Sequence, residues 1–577
     1  MSQDGSPDLD RRNFLKVAGA SGGLFGMSTL AGCSGGSDGG GSGDTETEAD
    51  SGGGSGGSTE TEMDSGSSMG DALPEYRYFN NPPNYNPARN DAINLMGEQL
   101  NKAGFNMNVK VFEWGTLYNK VTSEQDFEFT TWHRGLGIDP GRRYPEMFHS
   151  SNTGPGQGNF VGYVNKDLDP KLMKQMQTTD RQERINLLHD IQEVITRDCP
   201  INAITQMPIL VAYNSDQVSG WVDHLGGYNY YYNMTSIEVN NKKNQLRGSW
   251  SETLGTLNVL GFNNETKLLH QFDVLYDNLI RFNPDLQPDP KLGLATDWER
   301  PEKTTMRYTI RDHQWHDGED LTAEDVAFTL NYIKENEIPL YSTQTDMYSD
   351  AEAVDSQTVQ VNFTEDGAPG PVHTLFSSQI PILPQHIWEG RDQPNKMQVK
   401  EPIGSGPMKF DYWDTGSELG LVKNSDHWRP TNFDSRIWRI IPESSTVWSL
   451  LKQGELNYLP FSRIGKQLSD NQELDQIGVK QMPGDSWWHM SMNERVPGLD
   501  QRAVRQACVH SIPKTAIVKQ LLYGFPDKGF NLISPAFGEF HNPDVMRFEE
   551  GVEPAKKRLK EAGFKFDDDG KAHFPAN

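Results

Sequence analysis

Cysteine is nearly absent: Cys33, Cys199 and Cys508 are the three in 577 residues. That excludes a disulfide scaffold and any CxxC metal or redox motif. Positive charge is scarce too, with 53 Lys and Arg against 80 Asp and Glu, a formal net charge of −27. Such a surface gains nothing from counterion release, which argues against nucleic acid or an anionic membrane as partner. It suits a protein kept hydrated in strong brine, where short Debye lengths blunt self-repulsion; ordinary acidic proteins share the signature. Long apolar runs are missing as well. Val17–Gly32 is shorter than the roughly 20 residues that a spanning helix needs. Against these absences stand 26 Phe, 19 Tyr and 13 Trp, enough for real cores, in a chain too long for one of them.

The N-terminus carries Arg11-Arg12 ahead of Phe14-Leu15-Lys16, which resembles a twin-arginine export signal. Leu30-Ala31-Gly32-Cys33 resembles a lipoprotein processing site, with Cys33 as the lipidated residue. Two acyl chains there would hold the product at the outer face of the cytoplasmic membrane. Residues 34–73 hold nine acids, no base and no apolar pattern. This is a disordered tether, spanning roughly 35 Å as a flexible coil. Residues 1–33 are therefore the signal and 34–73 the linker.

From Tyr76 onward helical and strand patterns mix. Asn86-Pro87 opens a helix with Ala92, Ile93, Met96 and Leu100 on one face, stopped by Gly104. Met107, Val109 and Val111 alternate as a strand. Asp180–Glu183 caps a helix carrying Ile185, Leu188, Ile191 and Ile195. Further helices start at Asp500, at Ser511-Ile512-Pro513 and at Glu553. Met306–Ile310 and Thr358–Phe363 read as strands. The class is α/β, or mixed α+β, in several lobes.

A set of segments then resembles one family. Leu294–Trp298, Tyr308–Arg311 and Trp315–Val326 look like the signature of the dipeptide/oligopeptide/nickel class of ABC-transporter solute-binding proteins (solute-binding family 5). Ile403-Gly404-Ser405-Gly406-Pro407 resembles its glycine loop, and Asn424–Trp428 the segment after it. Leu451–Glu455, Asn493, Pro497, Asp500, Val504–Ala507 and Gly524 continue the likeness. The resemblance implies a periplasmic-binding-protein-like fold of two lobes, a hinge and an extra subdomain. Its order is rotated. The strand that follows the linker in that class resembles Gly255–Val259, and the material that normally comes last, Tyr76 to about Asn240, comes first. The expectation is a circular permutant. Asn241–Glu252 joins the old ends, and Gly570–Asn577 pairs with the strand starting at Tyr76. Lobe II is then 74–200 with 481–577, lobe I is 201–300 with 401–480, and 301–400 is the subdomain.

Motifs for catalysis fail on spacing. Gly404-Ser405-Gly406 is not a nucleophile elbow, His189–Glu193 is not a zinc helix, and Asp317-Gly318 is a turn signal. No cofactor is expected. No metal is either, since His133, His149, His313 and His316 lack ligand spacing. What the resemblance implies instead is an extracytoplasmic, lipid-anchored receptor, a monomer, that binds peptide in a cleft and delivers it to an ABC permease in the membrane. A ligand sensor coupled to a chemotaxis transducer is the alternative.

The candidate ligand residues follow. Trp132 matches a pocket-lining position of the family, and a core tryptophan is its other reading. Arg134 suits a ligand carboxylate. Asp139 is the first acid after Trp132, where dipeptide binders carry theirs sooner; this departure argues against a free-amino-terminus dipeptide. Ser405 lies on the glycine loop, and Asn263 on a loop in lobe I. Trp487 and Trp488 are adjacent, so on a strand at most one lines a cleft. Cys199 and Cys508 fall in lobe II as a disulfide or as two buried thiols. Asn233, Asn264 and Asn362 occupy N-x-[ST] sequons.

Overall fold

The computed structural model describes residues 69–225, 231–251, 253–261, 272–364, 370, 380–460 and 464–576. The signal, Cys33, Asn263, Asn264 and all of the tether but 69–73 lie outside the described residues.

Seven strands form the largest sheet: β1 (Glu75–Asn80), β2 (Asn106–Val111), β3 (Phe129–Gly135), β4 (Ile201–Asn214), β5 (Tyr458–Leu459), β6 (Ile477–Met492) and β7 (Asp527–Lys528). Their order is β5-β4-β6-β3-β1-β2, with β7 on β4. β1 lies between β2 and β3, parallel to both. Its residues Tyr76, Tyr78 and Phe79 are fully buried, as expected of a parallel strand covered on both faces. Helix α1 (Pro87–Lys102) begins where Asn86 accepts the Arg89 N–H, with Pro87 in the first turn, a pairing of cap and proline suited to a helix start. It buries Ala92, Ile93, Met96 and Leu100, and the chain turns away at Gly104, φ +102°. Helix α2 (Arg181–Asp198) starts at Asp180, whose carboxylate accepts the Glu183 N–H at 2.7 Å.

β4 and β6 are the longest strands, 14 and 16 residues, and they pair antiparallel from Ser491↔Ile201 to Ile477↔Asn214. Their register slips between Met482 and Ser486. There Gly484 passes so close to Met207 that a Cβ would meet its carbonyl oxygen at 1.9 Å. Two main cores meet along this ladder. One draws on residues between Val211 and Met482. The other takes Phe79–Ala203 and Trp487–Phe540, with Leu225 and Leu286 added.

The first core is covered by two four-stranded sheets. One runs in the order 348–353, 358–363, 305–310, 295–302, all antiparallel, and its strands Thr358–Phe363 and Thr305–Ile310 agree with the sequence pattern. The other is 408–414, 418–423, 435–440 and Gln245–Trp250, the last pair parallel. Here one expectation is corrected. Gly255–Val259 is not a strand; the strand is Gln245–Trp250, inside the stretch assigned as a connection. The Asn258 amide donates to the carbonyls of Pro394 and Met397 while its oxygen accepts the Leu260 N–H. Those side-chain bonds hold Asn258 in an irregular loop, with Leu257 and Val259 still buried.

The end of the tether is also more ordered than its composition suggests. Gly70 N–H donates to Phe574 O, Leu73 N–H to Ala572 O and Phe574 N–H to Asp71 O, with Ala72 and His573 bridged antiparallel. The two ends of the described chain thus form one ribbon, tied to the end of α1 where Ala572 N–H donates to Gly104 O. This corrects the expected pairing of Gly570–Asn577 with the strand starting at Tyr76: both edges of β1 are taken by β2 and β3, and 572–574 pairs with 70–73 and 565–566 instead.

Candidate ligand-binding face

β1, β2 and β3 run parallel, so their carboxyl ends share one edge of the sheet, the place where open α/β sheets form their binding crevice. The segments leaving that edge carry aromatic side chains. Tyr85, beyond β1, stacks on Trp114, beyond β2, with ring centroids 6.0 Å apart and planes at 12°. Trp114 packs edge-on to Trp132 of β3 at 5.8 Å, and Tyr118 lies 6.2 Å from the same indole. Phe160 and His489 complete the ring of neighbours at 5.2 and 5.3 Å. Exposure grades outward: Trp132 is 5% exposed, Tyr85 48% and Tyr118 50%. Trp132 is the buried floor of an aromatic patch whose outer rings meet solvent.

β6 pairs antiparallel with β3 so that His489 faces Trp132 and Trp487 faces Arg134. These four share one face of the sheet, while Trp488 and His133 point to the other. Arg134 bonds Glu146 at 3.0 Å and lies 5.8 Å over the Phe160 ring. Burial pushes its pKa down, with Glu146 opposing. Arg89, in the first turn of α1, lies 5.3 Å over the Tyr85 ring.

Several expected ligand groups are committed elsewhere. The Asp139 carboxylate takes both ends of the Arg184 guanidinium at 2.7 and 2.6 Å and the N–H groups of Gly141 and Arg142. Both partners are almost fully buried, so Asp139 holds the loop after β3. Trp487 is 0% exposed and Trp488 3%: neither indole reaches the surface, because each face of β6 is covered there.

Ser405 is also fully buried. Its Oγ donates to Asp277 at 2.9 Å and its carbonyl accepts from His313 at 2.8 Å. The glycines beside it are there for close approach: a Cβ on Gly404 would sit 1.9 Å from Leu275 O, and one on Gly406 2.4 Å from Val274 O. The glycine loop is thus a packing device over a buried carboxylate.

Around that carboxylate, Asp277, His313 and His427 bring potential metal ligands within 4.8 Å of one another. Their hydrogen bonds assign them another role. His427 Nδ1 accepts the Arg429 N–H at 2.9 Å, so the proton is on Nε2, which faces Asp277 at 3.4 Å. Arg281 stands 3.9 Å away and is held by Asp273 at 2.9 Å. Burial acts to raise the Asp277 pKa, but His427, Arg281 and His313 outweigh it and bring it to about 2. The cluster is a hydrogen-bonded knot that pins the glycine loop.

Cys199 and Cys508 are buried free thiols. Asn233 is fully buried, its amide bonded to Val222, so that sequon is closed to modification in the fold. Of the residues on this face, sequence reading named Trp132 and Arg134 but not Tyr85, Trp114, Tyr118, Arg89 or His489. For Tyr85, Arg89, Trp114 and Tyr118, only their position after β1 and β2, neighbours in the sheet, could have pointed to them; for His489, only the pairing of β6 with β3.

A mixed α/β body with two cores and an aromatic, arginine-bearing face at the carboxyl edge of its parallel strands has the build of a binding protein. The family model of bacterial extracellular solute-binding proteins, family 5 (middle region), matches residues 289–576, and that segment belongs to the family. The dipeptide-binding protein of Escherichia coli (strain K12) is 26% identical over 315 residues, 50% of this chain and 58% of that protein. The oligopeptide-binding protein AppA of Bacillus subtilis (strain 168) is 26% identical over 259 residues, 44% of this chain and 47% of that one. The chain thus spans about half the length of the curated relatives it matches. Among solved structures, the periplasmic binding protein DppA from Helicobacter pylori in complex with peptide STSA is 21% identical. It covers 55% of this chain and 66% of that one, with a TM-score of 0.43.

Proposed function

We propose that the protein is the extracytoplasmic solute-binding component of an ABC importer, that it binds peptides between two lobes, and that it delivers them to a membrane permease. The observation that carries this is the family match over residues 289–576 together with the aromatic face at the carboxyl edge of β1–β3. The named relatives bind dipeptides and oligopeptides. Ring faces give sequence-tolerant contact area, which suits a receptor for many peptides. The lobes correspond to the two cores, and β4 and β6, slipping register opposite Gly484, are the hinge strands between them; ligand selects the closed state by touching both lobes. Cys33 carries the lipid and residues 34–73 form the tether.

The order of segments is read as a circular permutation. Two observations support it. Strands from the first third of the chain and from 477–492 interleave in one sheet, and residues 70–73 pair with 572–574 within one molecule. Cutting an exposed hairpin while joining two neighbouring ends is a rearrangement that folds tolerate.

The test is intrinsic tryptophan fluorescence in molar salt, titrated with pooled peptides of two to ten residues. A saturable change is expected, from a preparation that runs as a monomer. A folded protein that gives no change would contradict peptide binding, and a strand-exchanged dimer would contradict closure within one chain.

A further inference from the structure

His573 stands where the end of the tether is fastened to the body. Its Nδ1 lies 2.9 Å from the Gly70 carbonyl oxygen and its Nε2 3.2 Å from the Asp567 carboxylate. A carbonyl oxygen can only accept. Asp567 is an acceptor as well: its other oxygen takes the Lys571 N–H at 2.8 Å. That N–H first, and His573 second, hold the Asp567 carboxyl below the ordinary carboxylate range. Both ring nitrogens of His573 therefore donate, and a ring that donates twice is an imidazolium. His316 and His427 show the contrast. Each receives a backbone N–H on Nδ1, from Gly404 and from Arg429, so each is satisfied as a neutral ring with its proton on Nε2.

The ribbon around this ring is closely built. Gly70 N–H bonds Phe574 O, Leu73 N–H bonds Ala572 O and Phe574 N–H bonds Asp71 O. Gly70 is needed for the approach: a Cβ there would meet Phe574 O at 2.7 Å and Pro575 O at 2.9 Å. Leu73 is buried and anchors the ribbon in the body, while Asp71 and Ala72 are exposed. The charged groups around the ring are Asp567 on its own hairpin, Asp71 on the tether strand and Lys565, opposite His573 in register. Lys556 and Lys560 lie over the neighbouring Phe566 ring at 5.9 and 5.5 Å, and α1 reaches the ribbon through the neutral Gly104 carbonyl. The Gly70 carbonyl, then Asp567, raise the proton affinity of His573 above the ordinary histidine value, and Asp71 adds to them.

We propose that His573 is a pH-sensitive clasp on the tether: charged, it ties Gly70 to Asp567, and neutral, it releases one of them and lets residues 69–72 fray from the body. A neutral ring has a single N–H. Whichever nitrogen keeps it, the other turns a lone pair toward an oxygen. The direction follows from the sign of linkage. A ring that binds its proton more tightly in the folded state adds its full contribution below about pH 6.5, and loses it as pH rises through the higher native value. Leu73, held by its burial, stays in place. Release lengthens the tether by residues 69–72, roughly 13 Å of extended chain. That gain in reach rests on the lipid-anchor reading above; the clasp does not.

The experiment follows the ring resonances of the full-length protein, carrying isotope-labelled histidine, from acid to mildly alkaline pH. The His573 signal is the one missing from His573→Gln. It is expected to titrate above about pH 6.5, and Asp567→Asn, which keeps an acceptor without the charge, should move it down. A titration at or below the ordinary value in wild type would overturn the proposal, as would one left unmoved by Asp567→Asn. Hydrogen exchange over residues 69–74, corrected for the intrinsic effect of pH, reads the release itself. In wild type it should quicken about threefold as the ring loses its proton, the scale of one exposed charge-assisted contact. His573→Gln has no titrating ring and should show no such step. An equal step in both proteins, or none in wild type, would overturn the proposal. Neither readout needs ligand or lipid, so its failure is distinct from failure of the receptor reading.

Discussion

Replacing Asp139 by alanine is expected to destabilise the fold by about 3–5 kcal/mol, the cost of stranding a buried guanidinium. The carboxylate takes two charge-assisted bonds from Arg184 and two backbone N–H groups, and both side chains are more than nine-tenths buried. Deleting it leaves Arg184 charged in the core beside Gln175, with the loop after β3 untied. Chemical denaturation of the variant reads the loss directly. The double variant Asp139→Ala with Arg184→Met should recover much of it, because removing both charges is far less costly than removing one. Were Asp139 a ligand group, the single variant would keep its stability and lose ligand affinity.

Acid is expected to unfold the protein in two stages, the first well above the carboxylate range. Burial lowers the pKa of His224 to about 4, against the acceptance of its ring by the Phe282 carbonyl, and that of His316 to about 4 against Gly406. A histidine with a lowered native pKa binds its proton first in the unfolded chain. Its contribution is therefore whole above pH 6.5 and declines as pH falls toward 4. Each of the two gives up about 3 kcal/mol across that window. Asp277 follows: its native pKa of about 2 lies below the ordinary carboxylate value, so its stabilisation holds above about pH 4 and is lost as pH falls toward 2. Denaturation at constant salt from pH 7.5 to 4 measures the first stage. Glu494, whose pKa burial raises to about 8, acts in the opposite direction over the same range, so the assignment is read from the difference: His224→Asn and His316→Asn should each lose less stability than wild type as pH falls, and variants that keep the full wild-type pH dependence would contradict neutral buried imidazoles.

Local patterns were legible wherever one short segment carried its own signal. The cap at Asn86, the apolar face of α1, the Asp180 start of α2 and the alternation of Thr358–Phe363 all appear where the sequence puts them. Gly255–Val259 misled because its apolar residues are buried in a loop held by Asn258 side-chain bonds, which periodicity does not register. Ser405 and Asp139 misled for a related reason. A polar residue in a glycine loop or after a pocket tryptophan has the same letters whether it faces ligand or a buried partner, and Asp277 and Arg184, which decide the matter, are 128 and 45 residues away. Tyr85 and Trp114 were silent for the opposite reason. They become a site only when β1 and β2 lie side by side and bring their following segments together.

The most direct test of the binding face is hydrogen exchange on the full-length protein in molar salt, with and without a saturating peptide pool. The expected result is slowed exchange in residues 81–90, 111–118 and 131–136, the segments at the carboxyl edge of β1–β3, with protection also along β4 and β6 as the lobes close. Protection confined to other parts of the molecule, with those three segments unchanged at saturation, would contradict the assignment of the ligand to this face.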